Sequence, residues 1–165
     1  MSQLKGGKEL QDLLSQLPAK IEANVVRGGL RKGAVVLRDA IREAAPKDSG
    51  DLAASVRVSV RLKKGTVVAT VKTGNKKAWY AHLVEYGTTA HEIHAAEGKS
   101  LFIGGSLLKF VNHPGARAHP FVRPALDSHQ QIALDAAMDY MRNRLKTKYG
   151  LETPDPDAVL DNDES

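Results

Sequence analysis

The sequence predicts an α+β fold with a long N-terminal helix, an antiparallel sheet carrying a long hairpin, and a long C-terminal helix. Three patterns carry that expectation. From Pro18 to Ala45 the apolar residues Ile21, Val25, Leu30, Ala34, Leu37, Ile41 and Ala44 recur three to five positions apart, which is one stripe along a helix. Between Ala53 and Leu62, Val56, Val58, Val60 and Leu62 alternate with Ser55, Arg57, Ser59 and Arg61, the period of a half-buried strand. From Val122 or Pro124 to about Lys148 a second helical stripe follows, through Leu126, Ile132, Ala133, Ala136, Ala137, Tyr140, Met141 and Leu145. Helix, then strands, then helix is the order of an α+β chain rather than of a parallel α/β one.

The elements follow in order. Leu10, Leu13, Leu14 and Leu17 have helical spacing, and Pro18 suits the first turn of the next helix or a kink. The helix from Pro18 would be about 40 Å long at 1.5 Å per residue. Gly28, Gly29 and Gly33 inside it each cost about 1 kcal/mol relative to alanine, so either another backbone packs closely there or the helix bends. Pro46 ends it by forcing Ala45 out of helical geometry. Lys47 to Gly50 reads as a loop, Lys63-Lys64-Gly65 as a hairpin turn, and Thr66 to Thr73 as the returning strand. Trp79 to Tyr86 reads as a short helix burying Tyr80, Leu83 and Val84, with a strand as the alternative. His91 to Val111 is an irregular or hairpin-like excursion, with short strands at 101–103 and 107–111 around Gly104-Gly105-Ser106. Asn112 to Pro120 is a loop. Pro124 fits the first turn of the last helix and Gly150 its stop.

Charge divides the chain. All 24 basic residues lie at or before Lys148, and six of the 19 acids follow Gly150, so residues 1–150 carry +11 and the last 15 carry −6. Residues 1–150 are read as one domain and 151–165 as a disordered acidic tail, too poor in apolar residues to offset ordering entropy. The tail either solubilises the chain, screens the body or docks on a basic partner. The absence of cysteine excludes disulfides, thiolate metal sites and a thiol nucleophile. An aromatic content of 5% argues against a stacking platform for single strands. No run approaches the roughly 18 apolar residues of a membrane span, and the polar start at Met1 to Lys8 has no signal-peptide core. The expectation is a soluble protein made in the cytoplasm.

Candidate chemistry is sparse. His91-Glu92-Ile93-His94, with His113 and His119 downstream, has ligand-type residues, but its spacing of three on a loop is not that of a helical zinc site. Gly104-Gly105-Ser106-Leu107 lacks the closing glycine of a nucleophile elbow. Glu85 has no second carboxylate beside it in the motif, so a structural salt bridge or an interface role outranks general-base work. The +11 body leaves open a basic nucleic-acid-binding protein as the alternative function, against a plain solvated face. Arg57, Arg61, Lys63 and Lys64 charge one face and the tip of the hairpin, which protects an edge or meets an acidic neighbour.

Short motifs then occur in a characteristic order. Leu17-Pro18 opens a long helix and Ala45-Pro46 closes it. Ser49-Gly50-Asp51-Leu52 and Ser55-Val56 follow, then Tyr80-Ala81-His82-Leu83-Val84-Glu85-Tyr86-Gly87-Thr88. His113-Pro114-Gly115 and Pro120-Phe121-Val122-Arg123-Pro124-Ala125-Leu126 lead into the last helix. Over roughly Leu17 to Lys148 this resembles the tail-component family of long-tailed double-stranded DNA bacteriophages. The resemblance implies a non-enzymatic virion protein of the neck, a tail-completion or head–tail joining component without cofactor or metal. It implies a homo-oligomeric ring, taken as a hexamer, between the head connector or stopper and the tail terminator or tail tube. It also implies genomic DNA passing near the lumen, and assembly in the host cytoplasm before residence in the virion. The interface candidates are Arg57, Arg61, Lys63, Lys64, Glu85, Tyr86 and Phe121, with Phe121 also expected to anchor the last helix in the core.

Overall fold

The computed structural model describes residues 7–63 and 65–153. In order they form α1 (Gly7–Ser15), α2 (Ala19–Ala44), α3 (Asp51–Ser55), β1 (Arg57–Lys63), β2 (Thr66–Lys72) and α4 (Ala81–Tyr86). There follow β3 (His91–His94), β4 (Leu101–Ile103), β5 (Ser106–Leu108), β6 (Phe110–His113) and α5 (Val122–Tyr149). The fold is α+β, with the two long helices where the apolar stripes place them.

The glycines of α2 decide how those helices meet. A β-carbon on Gly33 would stand 2.5 Å from the Ala133 carbonyl oxygen, and one on Gly29 would stand 2.9 Å from that of Ala137. Gly28 faces the Tyr140 ring in the same way. Rising numbers on α2 match falling numbers on α5, so the two helices run antiparallel along a seam of small residues. Close approach, not a bend, is what the glycines provide.

Apolar clusters fill both ends of this seam. At one end α1 crosses the pair, and Leu10, Leu14, Val25 and Leu145 are buried with Ile21, Met138, Met141, Tyr149 and Leu151 around them. Gly150 closes α5 in the left-handed region, and Leu151 donates its N–H to the Leu145 carbonyl at 3.2 Å. The packed body therefore includes Leu151, the first residue assigned to the tail. Positions 154–165 of that tail lie outside the described residues. At the other end Ala40, Ile41, Ala45, Leu52, Val56, Ala78, Ala81, Phe121 and Ala125 form the second cluster.

β1 and β2 pair antiparallel, with Val58 opposite Val71, Val60 opposite Ala69 and Leu62 opposite Val67. That face is half-buried near α2 and becomes exposed towards Leu62. The strand begins later than the alternation suggests, because residues 53–55 belong to α3. Leu52, Ser55 and Val56 are all buried, and their spacing of three and four is helical. The Ser55 hydroxyl donates to the Leu52 carbonyl at 2.6 Å and accepts from the Gly74 N–H at 2.9 Å, which holds the corner between helix and strand.

The excursion is more ordered than its composition suggests. β3 pairs antiparallel with β6, and β4 with β5, so the segment 91–113 is a nested two-stranded arm. His91–His94, read as loop, is strand. Gly104 and Gly105 make the tip turn at positive φ of 58° and 85°. Instead of one sheet, the described residues hold three separate two-stranded ladders.

Candidate assembly surfaces

Glu85 is the best-defined polar feature of the molecule. It lies in α4, is buried, and its carboxylate accepts three backbone N–H bonds, from Phe121 at 2.8 Å, Val122 at 2.9 Å and Arg123 at 3.1 Å. Those are N–H groups at the start of α5, which have no partner within their own helix. No side chain of the adjoining turn caps that end, so Glu85 does so from another element. A carboxylate also complements the positive end of the α5 dipole. Burial pushes the carboxyl up, but the three N–H donors and the nearby Arg123 charge outweigh it. The net effect holds Glu85 below the usual carboxylate value.

Backbone pairing extends this clasp. The His119 N–H donates to the Val84 carbonyl at 2.8 Å, and Thr88 and Ala116 exchange backbone bonds of 2.9 and 3.2 Å. Gly87, at φ 71°, runs so close that a β-carbon would stand 2.6 Å from the Ala116 carbonyl oxygen. The Val84-Glu85-Tyr86-Gly87-Thr88 motif and the Pro120-Phe121-Val122-Arg123-Pro124 motif, far apart in sequence, are thus two halves of one joint. Sequence reasoning identified both halves but not their pairing; the acidic residue before a helix-breaking glycine was the available signal.

The interface candidates separate into two groups. Phe121 is 2% exposed and fills the cluster around Ile41, as expected of an anchor, so with Glu85 it belongs to the interior of the free chain. Tyr86 is 81% exposed and lines one shallow surface with the exposed His82 of α4 and Trp79 of the preceding turn. Arg61 and Lys63 are exposed on the hairpin, and Lys64 lies outside the described residues. Arg57 differs from them, because its guanidinium donates to the carbonyls of Ser55, at 3.2 Å, and Gly74, tying both ends of the hairpin to its base.

Two surfaces were not singled out in the sequence. The arm carries exposed Ile93, Phe102, Ile103, Leu107, Leu108 and Phe110, and supplies no residue to either apolar cluster. An open apolar groove of about 450 Å³ lies between α2, β2 and α5, walled by Leu30, Leu37, Val71, Leu126 and Leu134 over a floor of Gly33, Ala34, Ala133 and Ala137. Leu126 and Ile132, assigned to the buried side of the last helix, are exposed. The recurrence of Val122, Leu126, Ala133, Leu134 and Ala137 at spacings of three to four and seven to eight was the readable sign of a second apolar stripe on α5.

The histidines do not converge. His91 and His113 stand opposite each other with ring centroids 5.1 Å apart, while His94 meets Glu92 at 3.1 Å on an exposed strand. Among the described residues there is no group of three or more His, Asp or Glu side chains placed to hold a metal. No described helix is long and apolar enough to cross a membrane.

Residues 8–87 match the model of the family described as "Bacteriophage HK97-gp10, putative tail-component". Over this stretch the chain is similar to the HK97-gp10-like family, whose description is that of a phage tail component. The match covers α1 to α4 and ends at Gly87, within the clasp. The family half of that joint therefore includes Glu85, while its partner at Phe121 to Arg123 lies beyond the match. No curated protein and no solved structure matches the chain. The matched description is of a phage tail component, which is consistent with a structural role.

Proposed function

We propose that the chain is a non-enzymatic structural protein of the phage neck, a tail-completion or head–tail joining component that forms a ring between the head connector and the tail tube. The observation that carries this reading is the division of labour within a tail-component chain. One part is a conventionally packed helix pair, and the β1–β2 hairpin and the 91–113 arm extend from it with exposed edges and apolar side chains. Exposed ribbon edges and apolar patches of this kind serve subunit contacts. A ring requires a contact between two different surfaces that closes on itself, and the ribbons and helix faces supply two such surfaces. The neighbours in this reading are the connector or stopper on the head side and the terminator or tube on the tail side. Basic residues left on the outer faces of α2 and α5 then line a lumen through which genomic DNA passes.

The test is a phage lacking this chain. Electron microscopy is expected to show filled heads and separate tails, with joining restored when the purified protein is added. Complete, infectious particles formed without the chain would refute the reading. Ring formation is checked by light scattering and negative-stain images of the protein with its neck neighbours.

A further inference from the structure

We infer that the outer face of the β1–β2 hairpin binds the phosphate backbone of duplex DNA. The inference rests on the reading of the chain as a neck subunit past which DNA travels, and it names the surface that meets the DNA. Between Asp51 and Glu85 the sequence holds seven lysines and arginines and no acid. Strand alternation then sorts the side chains of the hairpin. Val58, Val60, Val67, Ala69 and Val71 are half-buried on the face towards α2. On the other face Arg57 stands opposite Lys72, Ser59 opposite Thr70, Arg61 opposite Val68 and Lys63 opposite Thr66. All of these but the half-buried Ser59 are exposed. Among the described residues no carboxylate pairs with Arg61, Lys63 or Lys72.

The chemistry of this face selects phosphate. Ser59, Arg61, Lys63, Thr70 and Lys72 line an open hollow of about 420 Å³, with Leu62 and Val68 as its apolar members. Same-face positions recur about every 6.7 Å along a strand, so the cations form a row rather than a single cluster. A row suits a line of phosphates, and the Ser59 and Thr70 hydroxyls between the cations donate to phosphate oxygens. An acidic protein would be met differently, since the cores of protein interfaces are depleted in lysine and enriched in aromatic residues. This face has no aromatic residue, which also removes the stacking platform that a single strand needs. Contacts to phosphate carry no direct sequence information, so the face holds any duplex alike, as a channel for a whole genome requires.

Fluorescence anisotropy of the full-length chain with short duplexes of unrelated sequence, across a range of salt, provides the test. The triple variant Arg61→Gln, Lys63→Gln, Lys72→Gln should weaken duplex binding about 10-fold or more at low salt and flatten the salt slope by about 1 per cation removed. A second triple variant, Lys47→Gln, Lys99→Gln, Lys109→Gln, removes the same charge from exposed sites elsewhere and should leave the slope nearly unchanged. Circular dichroism should be the same for all three proteins. The chain contains no cysteine, so a photo-cross-linker on Thr70→Cys is the only label and should attach to duplex, while one on Lys47→Cys should not. Equal losses from both triple variants would overturn the proposal, because net charge rather than this face would then be responsible. So would tighter binding of single strands than of duplex, or attachment of the Thr70 label to residues 154–165 in the presence of duplex, since an acidic peptide would then be the occupant. A chain that restores the joining of heads to tails without binding duplex would remove this contact and leave the neck reading standing. A chain that binds duplex through this face yet is dispensable for joining would remove the neck reading alone.

Discussion

The α2–α5 seam and the 91–113 arm are opposite solutions to the placement of apolar residues. Along the seam, glycine and alanine let two backbones approach until no further atom fits. On the arm, phenylalanine and leucine project into solvent from a ladder only two strands wide. The seam spends its apolar residues on folding one chain, and the arm leaves them exposed. The clasp between Glu85 and the start of α5 lies between these regimes, since it fixes the segment from which the arm departs and to which it returns.

That contrast can be broken most severely at the seam. Gly33→Leu would drive a side chain into the Ala133 carbonyl, and overpacking at a backbone contact is expected to cost about 3 kcal/mol or more. Thermal denaturation followed by circular dichroism measures this, and a stable Gly33→Leu protein would mean the helices are not in close contact. Next comes the clasp. Glu85→Ala leaves three N–H groups without their acceptor and should cost about 2–3 kcal/mol in the same assay. The conservative Glu85→Gln retains an oxygen but not the charge and should lose less.

Acid sharpens the same point. The Glu85 carboxyl is held below its ordinary value in the folded chain, so its contribution is fully present above the unfolded-state value near 4.5. It is lost as pH falls through the lowered folded value. Urea denaturation across that range should therefore show a shallower acid decline for Glu85→Gln than for the unaltered chain. Parallel declines would mean that Glu85 is not the titrating group.

Smaller effects separate the hairpin from its charges. Arg57→Ala removes two hydrogen bonds to backbone carbonyls and should cost about 1 kcal/mol of stability. Neutralising Arg61, Lys63 and Lys64 together should change stability by no more than about 0.5 kcal/mol while impairing assembly. Equal losses of stability from both changes would erase the distinction between a structural arginine and surface charges. Smallest of all in folding terms is the arm tip, where Phe102→Ser should leave the melting temperature almost unchanged and act only on association.

Local pattern made much of this legible. Pro18, Pro46 and Gly150 mark real helix ends, and the alternation from Val58 to Leu62 is a real strand face. The alternation misled at Ala53 to Ser55, because Val56 is buried against the core cluster while the strand proper begins beyond it. The Glu85 clasp was half legible. A carboxylate before a glycine can be seen in the sequence, but the three N–H groups it meets are 36 to 38 residues away. The arm was underread because short strands carry too few residues for periodicity to register, and their pairing is settled by partners across the ladder.

By itself the sequence determined the α+β class, the two long amphipathic helices, the hairpin and the likeness of residues 8–87 to a phage tail-component family. These are local properties, written in spacing and in the backbone preferences of proline and glycine. Tertiary structure alone decided that the α2 glycines seat a second helix, that Glu85 caps α5 and that Arg57 is tied to the chain. It alone decided that the apolar tip of the arm and the groove beside Leu134 are both uncovered. Each of these depends on which distant groups meet, and whether a side chain is buried or left for a partner is a property of the packed molecule.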